Sequence, residues 1–361
     1  MKKEPALLSK EQLAEEAISL LKKLIATESF SKEENNTADI IANLLTCSGV
    51  EVQRHLNNVW AKNKHFDISK KTILLNSHHD TVRPNKGYSL DPFSPIEKDG
   101  KLFGLGSNDA GGALVSLIAT FLHFCERPDM KYNIIIAATA EEEISGKDGI
   151  EALLALLPAI HSGIVGEPTL MQMAVAERGL IVLDCIAHGV AGHAARTEGE
   201  NAIYKAMMDI EWIYVYWFDK VSDLLGPVKM SVTSIETDNK THNIVPSECR
   251  FVVDVRVNEL YSLEEVIEII KKNVQSEVRP RSTRLKSSSI AMDHPLVMAG
   301  NKLGRTHYGS PTTSDKALMP FPTLKMGPGD SARSHTADEF IFIDEIKEGI
   351  DLYIKLLDQV L

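Results

Sequence analysis

The stretch TILLNSHHD, Thr72 to Asp80, decides the fold. Its first part, built around Ile73, Leu74 and Leu75, is an apolar run of strand length, the pattern of a strand buried on both faces. Similar runs follow at Asn133 to Ala138 and Gly163 to Gly166, with a buried helix, Gly111 to Cys125, before the first and a second helix, Gly149 to Leu157, between them. Upstream, apolar spacing predicts helices from Glu11 to about Ile25 and from Ser31 to Leu45, the second ending before Ser48-Gly49. Apolar strands alternating with helices imply an α/β fold, a mostly parallel sheet flanked by helices on both faces.

After Gly179 the texture changes. Strands are expected at Leu180 to Ala187, Val228 to Ile235 and Cys249 to Val257, and helices at Asn201 to about Asp219 and Ser262 to Val274. A further strand near Thr283 to Ser289 would complete a ferredoxin-like α+β unit. The expected division is residues 1–179 and 291–361 for one domain and 180–290 for an inserted second domain.

The same opening stretch ends in potential metal ligands. Alternation at a strand end puts residues 78 and 80 on one face, so His78 can bind a metal ion while Asp80 accepts its other ring N–H and fixes the tautomer. Four more segments offer donors: Ser107 to Gly112, Glu141-Glu142-Glu143, Gly166-Glu167-Pro168, and Ser334 to Asp338 with His335. Two imidazoles and three carboxylates, one of them shared, complete two zinc-like sites with a position open for water. Gathered without counterions, Asp80, Asp109, Glu142, Glu143 and Glu167 would repel one another.

Each segment also has a plain reading. Asp109, in a Gly-rich turn before an apolar helix, reads equally as an N-cap. Glu141 to Glu143 alone reads as a solvated acidic turn, and Pro168 merely stops a strand. Adjacent side chains at a strand end diverge, however, so one carboxylate there can ligate metal while its neighbour serves as general base.

Composition narrows the class. The chain has 361 residues, 43% hydrophobic and 25% charged, with a net charge of −11 from 39 Lys+Arg against 50 Asp+Glu. That is ordinary globular composition with room for two cores, and with no basic stripe it lacks the footprint of a nucleic-acid binder. Met1-Lys2-Lys3-Glu4-Pro5 leads into a charged amphipathic stretch rather than a signal-peptide core, and no run is apolar enough to span a bilayer. Cys47, Cys125, Cys185 and Cys249 have no paired spacing, which suits reduced thiols. A cytoplasmic protein is expected.

The order of these segments resembles the metal-dependent aminoacylase and carboxypeptidase family that includes acetylornithine deacetylase and succinyl-diaminopimelate desuccinylase. The resemblance runs over nearly the whole chain, with Ser77 to Val82, Asn108 to Gly112, Ala140 to Glu143, Gly166 to Thr169 and Gly327 to Glu339 as its most specific pieces. It implies that Asp109 bridges two divalent ions, Zn2+ first with Co2+ or Mn2+ as alternatives. His78 and Glu167 would complete one site, and Glu143 and His335 the other. It further implies that Glu142 is the catalytic base, that Asp80 orients His78, and that the peptide bond after Asp109 is cis. The inserted domain would be a lid and dimerisation domain whose His193, beside Gly192, reaches the active site of a partner subunit. One departure stands out: Gly111 occupies the place where family members usually carry a lysine.

The implied activity is hydrolysis of the amide of an N-acyl amino acid, with N-acetyl-L-ornithine first, giving ornithine and acetate in arginine biosynthesis. N-succinyl amino acids such as succinyl-diaminopimelate or succinylornithine, and acetylcitrulline, are the alternatives. Arg178, Asn243 and Arg256 are the candidates for the substrate carboxylate, since a guanidinium fork matches it in two bonds. A reading of another class is a dimeric binding protein that kept the scaffold and lost catalysis; the retained Glu142 argues against it.

Overall fold

The computed structural model describes residues 9–361. The opening Met1 to Pro5 lies outside them, while the amphipathic stretch that follows it is the helix Lys10–Ile25. Contacts divide the chain into two compact units, one running up to Val175 and including Ile290–Tyr308 and Ser314–Leu361, the other formed by Ala176–Ser289 and Gly309–Thr313.

In the first unit the strands lie in the order Val52–His55, Asn58–Lys62, Asn133–Thr139, Thr72–His78, Ser162–Val165, Thr323–Lys325, Met173–Glu177. The four central strands pair in parallel and the outer pairings are antiparallel. Strand alternation sends Ile73 and Leu75 into a large core with Leu21, Ile41, Leu117, Phe121 and Tyr353 from the helices Lys10–Ile25, Asn35–Cys47, Gly112–Phe124 and Ile343–Asp358. Leu74 points the other way, to Trp60, Ile135, Ile150, Leu153 and Met319. Burial on both faces is why the strand reads as one apolar run.

Two helices differ from expectation. The second begins at Asn35 rather than Ser31, because Lys32 has a φ of 77° that no helix accommodates and the Glu34 carboxylate accepts the Lys32 N–H at 2.6 Å. The helix expected from Gly149 to Leu157 is only Ile150–Leu154.

In the second unit, Gly179–His188, Lys229–Thr237, Glu248–Val257 and Glu277–Pro280 form a sheet in the order second, third, first, fourth, all pairs antiparallel. With the helices Ala202–Val215 and Leu263–Asn273, this is the ferredoxin-like arrangement. The first of these helices, capped by the Asn201 side chain, stops at Val215 instead of about Asp219. The fourth strand is not Thr283 to Ser289. Glu277–Pro280 takes that place, burying Val278, and Pro280 is tolerated because the strand lies at the sheet edge. Ser288–Ser289 pairs with Ala176 and Glu177 instead.

Candidate metal centre

The donors collect at the C-terminal ends of the parallel strands, where open α/β sheets place their sites. His78 is the last residue of its strand and 1% exposed. Its Nδ1 lies 3.0 Å from the backbone carbonyl of Asp80 and 3.4 Å from Asp80 Oδ1, so the closer acceptor is the carbonyl. The Asp80 carboxylate instead accepts the backbone N–H groups of Glu142 and Glu143, each at 3.1 Å, and the Ser31 hydroxyl at 2.7 Å. One carboxylate therefore ties the His78 strand end to the acidic turn after Asn133–Thr139.

Asp109 sits in the turn Ser107–Gly111 that feeds the buried helix Gly112–Phe124, and the Asp109–Ala110 peptide bond is cis. Its Oδ1 is 3.5 Å from His78 Nε2 and its Oδ2 is 3.6 Å from His335 Nε2. Glu167 Oε1 stands 3.7 Å from His78 Nε2, and Glu143 Oε2 stands 3.0 Å from His335 Nε2. Two ligand groups result, His78 with Asp109 and Glu167, and Asp109 with Glu143 and His335, the ligand atoms of each within 4.8 Å of one another.

These separations fit shared cations. Two donors about 2.1 Å from one tetrahedral ion stand about 3.4 Å apart. Among the described residues His78 Nε2 is buried and has no hydrogen-bond partner, a costly state for a ring nitrogen unless something else takes its lone pair. The electrostatics agree: against the cost of burial, Glu142, Asp109, Asp80 and Glu167 hold the His78 imidazole well above its usual pKa. Burial, reinforced by Glu167, Asp315 and Glu143 and opposed by His78, pushes Glu142 well above the carboxylate range. The bond to Glu143 and the charges of Glu143, Asp109 and Glu339, against burial, raise His335 to about 9. The carboxylates around the two imidazoles thus favour positive charge at this place.

A model of peptidase family M20/M25/M40 matches residues 74–359. This chain belongs to that family.

Curated relatives include succinyl-diaminopimelate desuccinylase 2 of Ruegeria sp. (strain TM1040), 25% identical over 73% of this chain and 71% of that protein. A succinyl-diaminopimelate desuccinylase of Buchnera aphidicola subsp. Acyrthosiphon pisum (strain Tuc7) is 29% identical over 72% of this chain and 70% of its own length. Among solved structures, aminopeptidase PepT from Bacillus cereus superposes with a TM-score of 0.78 at 20% identity, covering 98% of this chain and 100% of that one. A dinuclear metal-binding M20 peptidase from Bacillus subtilis gives 0.74 at 14% identity, over 97% and 100% of the two chains. The protein is thus an M20 metal-dependent amidohydrolase or peptidase.

In this M20 chain the lysine-to-glycine departure has a local cause. A Cβ on Gly111 would stand 2.4 Å from the Gly106 carbonyl oxygen and 2.6 Å from Leu21 Cδ1, so a side chain has no room.

Two carboxylates escaped the sequence reading. Asp315 Oδ2 accepts Asn76 Nδ2 at 2.9 Å and Thr139 Oγ1 at 2.7 Å, bracing adjacent strands behind His78 and Glu142; burial, eased by those bonds, raises it to about 6. Glu339 holds the Asp109 turn through three backbone N–H groups. Burial and the Asp109 charge raise its carboxyl to about 7 against those bonds. The signal for Glu339 was its position directly after the His335 segment; Asp315 gave none.

The remaining candidates lie in the second unit. Arg178, 8% exposed, donates to the Leu225 carbonyl, and burial together with neighbouring Arg256 lowers its pKa. Arg256 makes a two-bond pair with Asp254 at 2.8 and 3.0 Å. Exposed His193 pairs with Ile244 across a short ladder, beside exposed Asn243, whose carbonyl accepts the Ala194 N–H at 2.9 Å.

Proposed function

We propose that this chain hydrolyses the amide bond of N-acyl amino acids, with N-succinyl amino acids as its substrates. The reading is carried by Asp109, whose two oxygens face two different imidazole–carboxylate groups, with Glu142 Oε2 3.8 Å from His78 Nε2. Divalent ions held there, Zn2+ first and Co2+ or Mn2+ as alternatives, supply Lewis acidity and lower the pKa of water toward neutrality. Glu142 takes the proton of the attacking water and returns it to the leaving amine nitrogen. Asp80 keeps Glu142 in register through its backbone N–H bond. His193, from a partner subunit, is assigned to the developing oxyanion, and Arg178, Asn243 and Arg256 to the substrate carboxylates, which would displace the Leu225 carbonyl and the Asp254 carboxylate from the two guanidinium groups.

The names of the relatives favour a succinyl over an acetyl group and move N-acetylornithine out of first place. A homodimer belongs to the same proposal. The helix Ala202–Val215 presents Tyr204, Met207 and Tyr214 at 67%, 56% and 87% exposure, and Lys229–Thr237 is an edge strand. The four cysteines are free, which suits a reducing, cytoplasmic setting. Among the described residues no helix is long and apolar enough to cross a membrane.

The test is an initial-rate panel of zinc-loaded protein over N-succinyl and N-acetyl derivatives of ornithine, citrulline and diaminopimelate. Higher kcat/KM for the succinyl series is expected; preference for the acetyl series would overturn the substrate assignment.

A further inference from the structure

We propose that Glu339 is a positioning residue of the metal pair, setting where Asp109 stands relative to His335; this rests on the paired-metal reading. Glu339 is 2% exposed. Its Oε1 accepts the backbone N–H groups of Asn108 at 2.8 Å and Asp109 at 2.9 Å, and its Oε2 accepts that of Gly106 at 3.1 Å. Three donors converging on one buried carboxylate fix the turn from which the shared ligand projects.

The adjacent Asp338 grips a different segment. Its Oδ1 accepts the N–H groups of Ser89 at 2.8 Å and Leu90 at 2.9 Å, and Asn85 Nδ2 donates to the His335 carbonyl at 3.2 Å. At the other end of the loop, Asn108 and Asp330 exchange two bonds of 3.0 Å. His335, with its side chain 55% exposed and a φ of 59°, therefore owes its place to these anchors and not to packing.

The consequence is unequal for the two groups. In the Asp109–Glu143–His335 group, two of three donors are placed through Glu339 and its neighbours. In the His78–Asp109–Glu167 group only Asp109 is, since His78 ends one buried strand and Glu167 follows another. Replacing one Glu339 oxygen by an amide NH2 aims a donor at donors and leaves a backbone N–H unpaired.

The experiment is zinc titration of the full-length metal-free protein against a chelator of known affinity, giving two stepwise dissociation constants for wild type, Glu339→Gln and Asp338→Asn. We expect one of the two constants to rise about tenfold or more in both variants, with the other changing by less than about threefold. Two unchanged constants, or equal loss at both steps, would overturn the assignment, equal loss being what a merely structural role produces. If Glu339→Gln does not fold, Glu339→Asp, which keeps a carboxylate on a shorter stem, decides by the same criterion. Wild-type protein that takes up fewer than two ions would sink the paired-metal reading itself, an outcome distinct from failure of the Glu339 assignment.

Discussion

At the scale of single residues, the proposed mechanism separates the groups that hold metal from the one that reacts. Glu142 belongs to neither ligand group yet stands 3.8 Å from His78 Nε2. Glu142→Gln is therefore expected to lower kcat by about 10²–10⁴-fold with metal content unchanged; metal analysis beside steady-state rates checks this, and loss of metal would assign Glu142 to ligation. Asp80→Asn turns into a donor either Oδ1, which accepts the Glu142 N–H, or Oδ2, which accepts the Glu143 N–H and the Ser31 hydroxyl. It should cost about 10–100-fold in metal affinity or activity, read by the same pair of measurements. His78, Asp109, Glu143, Glu167 and His335 were legible because each is a metal-binding residue type at a strand end or in a turn. Asp315 was not, since its partners Asn76 and Thr139 are reached only through the fold. The split of labour in Asp80 between backbone carbonyl and carboxylate was equally hidden, because sequence spacing places side chains and says nothing of carbonyls.

At the scale of elements, the strands Thr72–His78, Asn133–Thr139 and Ser162–Val165 and the helices Lys10–Ile25 and Gly112–Phe124 were readable from apolar runs. By contrast Asn58–Lys62, Met173–Glu177, Thr323–Lys325 and the helix Ile343–Asp358 went unassigned, the strand expected at Thr283 to Ser289 lies at Glu277–Pro280, and other boundaries were set by tertiary bonds. Nothing in the spacing of Ser31 to Leu45 announces that Glu34 turns its carboxylate onto its own chain and onto the Glu141 N–H at 3.1 Å. The turn before Gly112–Phe124 makes the opposite point, since its tolerance is set by close backbone approach. With a Cβ at 2.4 Å from the Gly106 carbonyl oxygen, Gly111→Ala should destabilise the first unit by about 1–3 kcal/mol. Thermal unfolding of the metal-free protein measures this directly; an unshifted midpoint would show that the turn relaxes.

At the scale of the whole molecule, carboxylates gathered around two imidazoles are expected to make stability depend on cations. Zinc at 100 times its dissociation constant should add about 2.7 kcal/mol per site, seen as a midpoint of the first unit that climbs with metal concentration and falls back with chelator. The second unit offers a separate test: wild type should sediment as a dimer, and Tyr214→Glu with Met207→Glu should shift it toward monomer. A monomeric wild type would remove the homodimer from the proposal. A last consequence follows from Thr323–Lys325, which pairs in parallel with Ser162–Val165 although the whole second unit is encoded between them. During synthesis the edge of Ser162–Val165 must wait for residues that follow the whole second unit. Ribosome-bound chains halted before Thr323 thus carry an open, apolar sheet margin, the kind of surface chaperones capture and aggregation exploits.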